Sequence, residues 1–215
     1  MKKQAISYFF YATFIFWALA ITWVCLADKL LIHKTLTFFQ TDFLDVFFQV
    51  ITFMGDGVFI VLISIVFLFI NVRIAFLQII SYASSGIISL LLKYSFFAES
   101  HRPYYFLKDD PTFHKIANFT YHISNSFPSG HTTSIFALMT IFALVYQQSK
   151  LVSTAFFLCA ILVAFSRIYL SQHFLIDVVA GSFIGLASAY GVFRVLSHKL
   201  VKFNSSILNL KQANE

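Results

Sequence analysis

Long apolar runs, nearly free of charge, constrain this chain more than any other feature. They occupy residues 6–27, 58–70, 74–92, 132–146, 151–170 and 174–196, and a helix needs about 20 consecutive apolar residues to cross a bilayer. Lipid offers no partner for a backbone N–H or C=O, so each run must close its own hydrogen bonds as an α-helix. The sequence therefore predicts an all-α polytopic membrane protein, a bundle of six transmembrane helices. The second and fourth runs are short and reach a span's length only by extending into Gly57 and Ser129. The first run exceeds the apolar region of a signal peptide, about 7–15 residues, and reads as a transmembrane helix. Composition agrees. Of 215 residues, 59% are hydrophobic and 11% charged, against about 25% charged in a soluble domain, and so short a chain cannot hide that much apolar surface in one water-facing core. Cys25 and Cys159 fall inside apolar runs and read as core packing residues, suggesting neither a disulfide framework nor a metal site.

Between the first two spans, Phe43, Leu44, Phe47, Phe48, Val50, Ile51 and Met54 recur at helical spacing while Asp42, Asp45 and Gln49 fall on the other side. This pattern predicts an amphipathic helix lying in the interface, or packing between spans. The net charge of +6 suits topology and anionic lipid head groups rather than nucleic acid. With Lys2 and Lys3 inside, Arg73, Lys150, Arg194, Lys199, Lys202 and Lys211 are cytoplasmic too. Lys29, Lys34, Lys93, Arg102, Lys108, Lys115, Arg167 and every acidic residue except Glu215 face outward. Both termini are then cytoplasmic, and the polar stretch 98–127 is external. We expect one transmembrane domain over 1–200, a chemistry-bearing core over 93–185, and a polar cytoplasmic tail over 201–215.

Ionisable residues at span ends are costly near hydrocarbon and usually functional. Lys93 closes the third span and leads to Arg102-Pro103. Pro128-Ser129-Gly130-His131 opens the fourth, Ser166-Arg167 closes the fifth, and His173 and Asp177 open the sixth. In an alternating bundle these four places share one membrane face. Cations gathered there repel one another unless an anion with several oxygens sits among them, and a phosphoryl group matches guanidinium forks well. The Ser129-Gly130 turn adds a helix N-terminus, which attracts anions. His173 and Asp177, four apart on one helical face, suit a nucleophilic imidazole oriented by a carboxylate. His131 on another helix suits the proton donor to a leaving oxygen. Lys29, Lys34, Lys108 and Lys115 read as interfacial side chains. His33, His101, His114, His122 and His198 read as surface or structural.

These residues resemble the membrane type 2 phosphatidic acid phosphatase superfamily. Lys93 to Arg102-Pro103 is similar to its first motif, Pro128-Ser129-Gly130-His131 to its second, and Ser166-Arg167 through His173 to Asp177 to its third. In one departure, eight residues separate Lys93 from Arg102 where the common form has six, a longer gap resembling some lipid A phosphatases. The resemblance implies an active site at the outer membrane–water interface, no cofactor and no metal requirement. It implies that His173 forms a phosphohistidine, Asp177 orients it, His131 protonates the leaving group, and Lys93, Arg102, Ser129, Gly130, Ser166 and Arg167 hold the phosphate. The expected function is an inner-membrane, cell-envelope lipid phosphatase acting on undecaprenyl diphosphate, phosphatidic acid, phosphatidylglycerol phosphate or lipid A. A phosphotransferase using the same phosphoenzyme and, more remotely, an anion transporter are the alternatives.

Overall fold

The computed structural model describes residues 8–146 and 149–206, and among them it contains helices and turns but no strand. The helices are α1 (Tyr8–Leu26), α2 (Lys29–Thr37), α3 (Asp42–Thr52), α4 (Gly57–Ile70), α5 (Val72–Ser95), α6 (Pro103–Leu107), α7 (Gly130–Val145), α8 (Lys150–Tyr169) and α9 (Leu175–Leu196). All six apolar runs are helical. Four of these helices, α1, α5, α8 and α9, are long and apolar enough to cross a membrane by themselves. A fifth crossing arises only if α3 and α4, joined through the 3-10 turn Phe53–Gly55 at a 57° bend, form one broken span. α7, with 16 residues, falls short of that length. By length and composition alone, four helices, or five with the bent pair, qualify as spans among the described residues.

Polar residues start these helices in the manner that orphan N–H groups require. Asp28 Oδ1 accepts from Leu30 N at 2.8 Å, Asp56 Oδ1 from Val58 N at 2.8 Å, Asn71 Oδ1 from Ile74 N at 3.2 Å and Ser149 Oγ from Val152 N at 3.3 Å. α7 lies at the centre, packed on α4, α5, α8, α9 and the Phe53–Gly55 turn. Its contact with α9 is close because Gly181 and Gly185 leave room. A Cβ on Gly185 would run into the Thr133 carbonyl and come 2.9 Å from Ala137 N; one on Gly181 would lie 2.5 Å from the Ser129 carbonyl. Close backbone approach through small residues is the usual basis of helix association in lipid.

Several expectations change. Cys25 is exposed on α1 and Cys159 only half-buried, so Cys25 is no core residue. On α3 the two sides do not divide as the pattern suggests: Asp45 is buried with Phe48, while Asp42 and Phe43 are exposed. Asp45 Oδ1 accepts from Tyr169 Oη at 2.7 Å and Oδ2 pairs with His114 at 2.8 Å. His33 is buried, the structural of the two roles expected for it, and Lys34 is held by Asp110 at 2.6 Å. The first residues of the expected tail are tied back: Ser205 O accepts from Val72 N at 2.9 Å and Asn204 Oδ1 from Asn71 Nδ2 at 2.9 Å. Lys2, Lys3, Lys211, Glu215 and residues 207–215 of that tail lie outside the described residues.

Candidate active site

The end of α5, the start of α7, the end of α8 and the start of α9 meet at one end of the bundle. Ser129 N donates to Asp177 O at 3.0 Å, which fixes the entry of α7 against the first turn of α9. Residues 100–126 cover this end and pair with themselves. Arg102 N donates to Ile123 O at 2.9 Å and Ser126 N to Ser100 O at 3.0 Å.

The eight-residue gap does not separate Lys93 from Arg102. Lys93 Nζ donates to Asn125 O at 2.8 Å, and Arg102 Nη2 points at the same carbonyl from 3.4 Å. Asn125 sits at φ 55, the left-handed region that asparagine tolerates better than most residues. Arg102 also donates from Nε to Ser124 O at 2.9 Å and from Nη1 to Gln172 Oε1 at 2.9 Å. Its burial holds its pKa below the usual guanidinium value, partly opposed by Asp177. Arg167 is buried on the last turn of α8. One of its terminal nitrogens, Nη1, donates to Thr52 Oγ1 at 2.8 Å, while Nε is buried without a partner. An orphan buried donor on a guanidinium is costly unless an acceptor arrives.

His173 follows α8 in the connector 170–174 and is 2% exposed. Its backbone N donates to Arg167 O at 3.1 Å. Nδ1 lies 3.5 Å from Asp177 Oδ2, an ion-pair distance but too long for a formed hydrogen bond. That carboxylate oxygen instead accepts from Ser126 Oγ at 2.5 Å and Phe174 N at 2.9 Å. Burial first, then the charges of Arg102, Arg167 and Lys93, push the His173 pKa well below the usual imidazole value. Both effects favour the neutral ring, the state in which an imidazole can act as a nucleophile.

A cavity of about 650 Å³ at this end is lined by Lys93, Arg102, Gly130, His131, Tyr82 and Leu90 among others, while His173, Asp177 and Arg167 are not part of its lining. His131 is held at the start of α7, within electrostatic reach of Arg167, His173, Arg102 and Lys93. Gly130 has open space where a Cβ would stand. The Ser129 hydroxyl accepts from Thr132 Oγ1 at 2.9 Å and so keeps its own proton available. Ser166 differs: its hydroxyl donates to Val163 O at 2.6 Å, within its own helix. The structure thus brings the nine sequence-derived residues to one end, with Ser166 turned to the backbone.

Sequence reasoning missed Gln172, Ser126, Asn125, Thr52 and Asp56, which contact those nine. Asp56 Oδ2 lies 4.0 Å from His131 Nε2. Only Asp56 had a signal, an acid between two glycines just before an apolar run, which marks a helix start. Away from the cavity, His33 Nε2 and Ser171 Oγ are 3.1 Å apart, which braces the connector carrying His173.

A family model described as the PAP2 superfamily matches residues 74–200. YbjG of Escherichia coli (strain K12), provisionally named an undecaprenyl-diphosphatase, is 30% identical over 118 residues, 53% of this chain and 59% of its own. The lipid A 1-phosphatase of Rhizobium etli is 38% identical over 60 residues, 28% of this chain and 25% of its own. The chain thus spans less than two thirds of the length of these curated relatives. Among solved structures, a transmembrane PAP2-type phosphatidylglycerolphosphate phosphatase of Bacillus subtilis aligns with a TM-score of 0.61 at 21% identity, covering 91% of this chain and 97% of that one. At such identity the likeness speaks for the fold alone.

Proposed function

The chain belongs to the PAP2 superfamily, and from that membership we propose that it is a membrane lipid phosphatase working through a phosphohistidine. The observation that carries this reading is a buried His173 beside three cations, one of which, Arg167, keeps an unpartnered donor. In the first step the His173 nitrogen turned away from Asp177 attacks phosphorus. The bond from phosphorus to the leaving oxygen breaks, and His131 gives that oxygen its proton. Lys93, Arg102 and Arg167, with N–H groups from the Ser129-Gly130 turn, stabilise the charge on the phosphoryl oxygens. Asp177 stabilises the positive charge that develops on His173. In the second step His131 takes a proton from water, the water oxygen bonds to phosphorus, the N–P bond breaks, and inorganic phosphate leaves. None of these steps calls for a metal or a cofactor.

The substrate in this reading is a lipid phosphate or diphosphate: undecaprenyl diphosphate, phosphatidic acid, phosphatidylglycerol phosphate or lipid A. Three of these chemistries occur in the names of the matched relatives and solved structure. The proposed topology has six crossings. It is supported by α4 running from the site end, where Asp56 approaches His131, to the opposite end, where Asn71 meets Asn204. The proposed location is the inner membrane, with the site periplasmic and both termini cytoplasmic, as the distribution of lysines favours.

The test is phosphate release in detergent micelles containing EDTA, across those four lipids, with and without vanadate. Vanadate-sensitive release that falls at least about 1,000-fold in His173→Ala supports the reading. Release retained by His173→Ala ends the phosphohistidine mechanism, and isotopic phosphate appearing in a second lipid reassigns the enzyme to phosphotransfer.

A further inference from the structure

The corner between α3 and α4 carries none of the family's motif residues, yet it touches two of the groups assigned to the chemistry. Thr52 Oγ1 accepts from Arg167. Gly55 brings the backbone against α7 so closely that a Cβ there would lie 2.9 Å from both His131 Cβ and the His131 carbonyl. Asp56 follows. Its Oδ1 is fixed by Val58 N at 2.8 Å, which leaves Oδ2 on the His131 side, 4.0 Å from Nε2.

We infer that Asp56 is a positioning residue for the reaction: its carboxylate keeps His131 competent to carry and return the proton of the leaving oxygen. This rests on the phosphatase reading above and adds a residue to it. His131 is faced by Arg167 on α8, Arg102 ahead of α6, Lys93 on α5 and His173 in the connector. All of these favour a neutral ring, whereas the first step needs a protonated one. Asp56 is the anion within ion-pair distance of His131 among the described residues. The 4.0 Å separation leaves Nε2–H free to point at a leaving oxygen while the negative charge stays alongside. Asp56 is partly exposed, 42% at the side chain, so water and salt weaken its influence without removing it.

Asp56→Asn separates this role from helix capping, because asparagine caps a helix start about as well as aspartate but carries no charge. With the fastest-hydrolysed lipid, the variant should keep the wild-type melting temperature and change KM by less than about twofold. Its kcat should fall ~10-fold, with the alkaline limb of its pH profile displaced toward acid by ~0.5–1 pH unit. Asp28→Asn, the same exchange at the start of α2, should leave rate and profile as in the wild type. A wild-type profile in Asp56→Asn overturns the inference, as does a loss of rate equal at every pH. Absence of phosphate release from the wild-type protein on every lipid overturns the phosphatase reading itself, a result distinct from any behaviour of Asp56→Asn.

Discussion

α1 and α7 are both apolar helices, yet they occupy opposite environments. On α1 the buried residues are Phe9, Phe10, Thr13 and Ala20, and Ile15, Leu19 and Leu26 stand exposed. On α7 every residue from Thr132 to Ala143 is buried. Hydrophobicity does not tell them apart. In lipid a leucine is as well placed outside as inside, so association relies on close packing and polar contacts between helices. Small and hydroxylated residues mark the interior instead: Thr132, Thr133, Ser134, Ala137, Thr140 and Ala143 on α7, of which Thr132, Thr133 and Ala137 meet Gly181 and Gly185 of α9. The central helix, with 16 residues, is shorter than any helix that qualifies as a membrane span by itself.

This contrast can be broken most severely at the α7–α9 contact. Gly185→Leu drives a side chain into the Thr133 carbonyl and the backbone of Ala137, and should cost more than about 3 kcal/mol. A melting temperature in detergent within a few degrees of wild type would contradict it. Next in size is a pH effect at the site end. Burial lowers the His33 pKa to about 4 from an ordinary 6.5. The unfolded chain therefore binds a proton at His33 that the folded chain refuses. Stability contributed by neutral His33 is full above pH 6.5 and falls as pH drops toward 4, by about 2–3 kcal/mol. His33→Leu should flatten that part of the melting-temperature-against-pH curve, and an unchanged slope would remove His33 as the cause. A smaller change of opposite sign is expected within α7. Thr140 Oγ1 is buried without a partner, so Thr140→Val should raise stability by up to about 1 kcal/mol. A clear loss would show the hydroxyl to be engaged. Smallest of all is Leu19→Ala on α1, 69% exposed, which should stay within about 0.5 kcal/mol. A loss of several kcal/mol would place that face against protein rather than lipid.

The helices were legible because lipid admits few alternatives: residues 74–92 became Val72–Ser95 and 174–196 became Leu175–Leu196. The gathering of the nine candidate residues at one end was legible because ionisable and glycine-bearing positions at span ends are rare and stood in register on one face. What was not legible depends on loops. The loop carbonyls of Ser124 and Asn125 and the amide of Gln172 serve Lys93 and Arg102 through a fold of the 100–126 segment that no periodicity encodes. The inward acid on α3 was also invisible, since the pattern of Asp42, Asp45 and Gln49 shows an amphipathic helix but not which side meets the protein. Asp45 turns in because Tyr169 and His114 offer it hydrogen bonds.

The backbone bond from Ser129 N to Asp177 O joins the turn bearing the proton donor to the helix bearing the carboxylate behind the nucleophile. Together with the glycine contacts, it makes α7 and α9 one rigid chassis on which reaction geometry is set. Tyr82, Gly86 and Leu90 of α5 line the cavity, and α1 and α4 present open apolar faces. If the proposed reaction holds, the helix pair that sets its geometry is distinct from the apolar faces open to lipid, so the outer helices can change sequence while the α7–α9 alignment stays as it is.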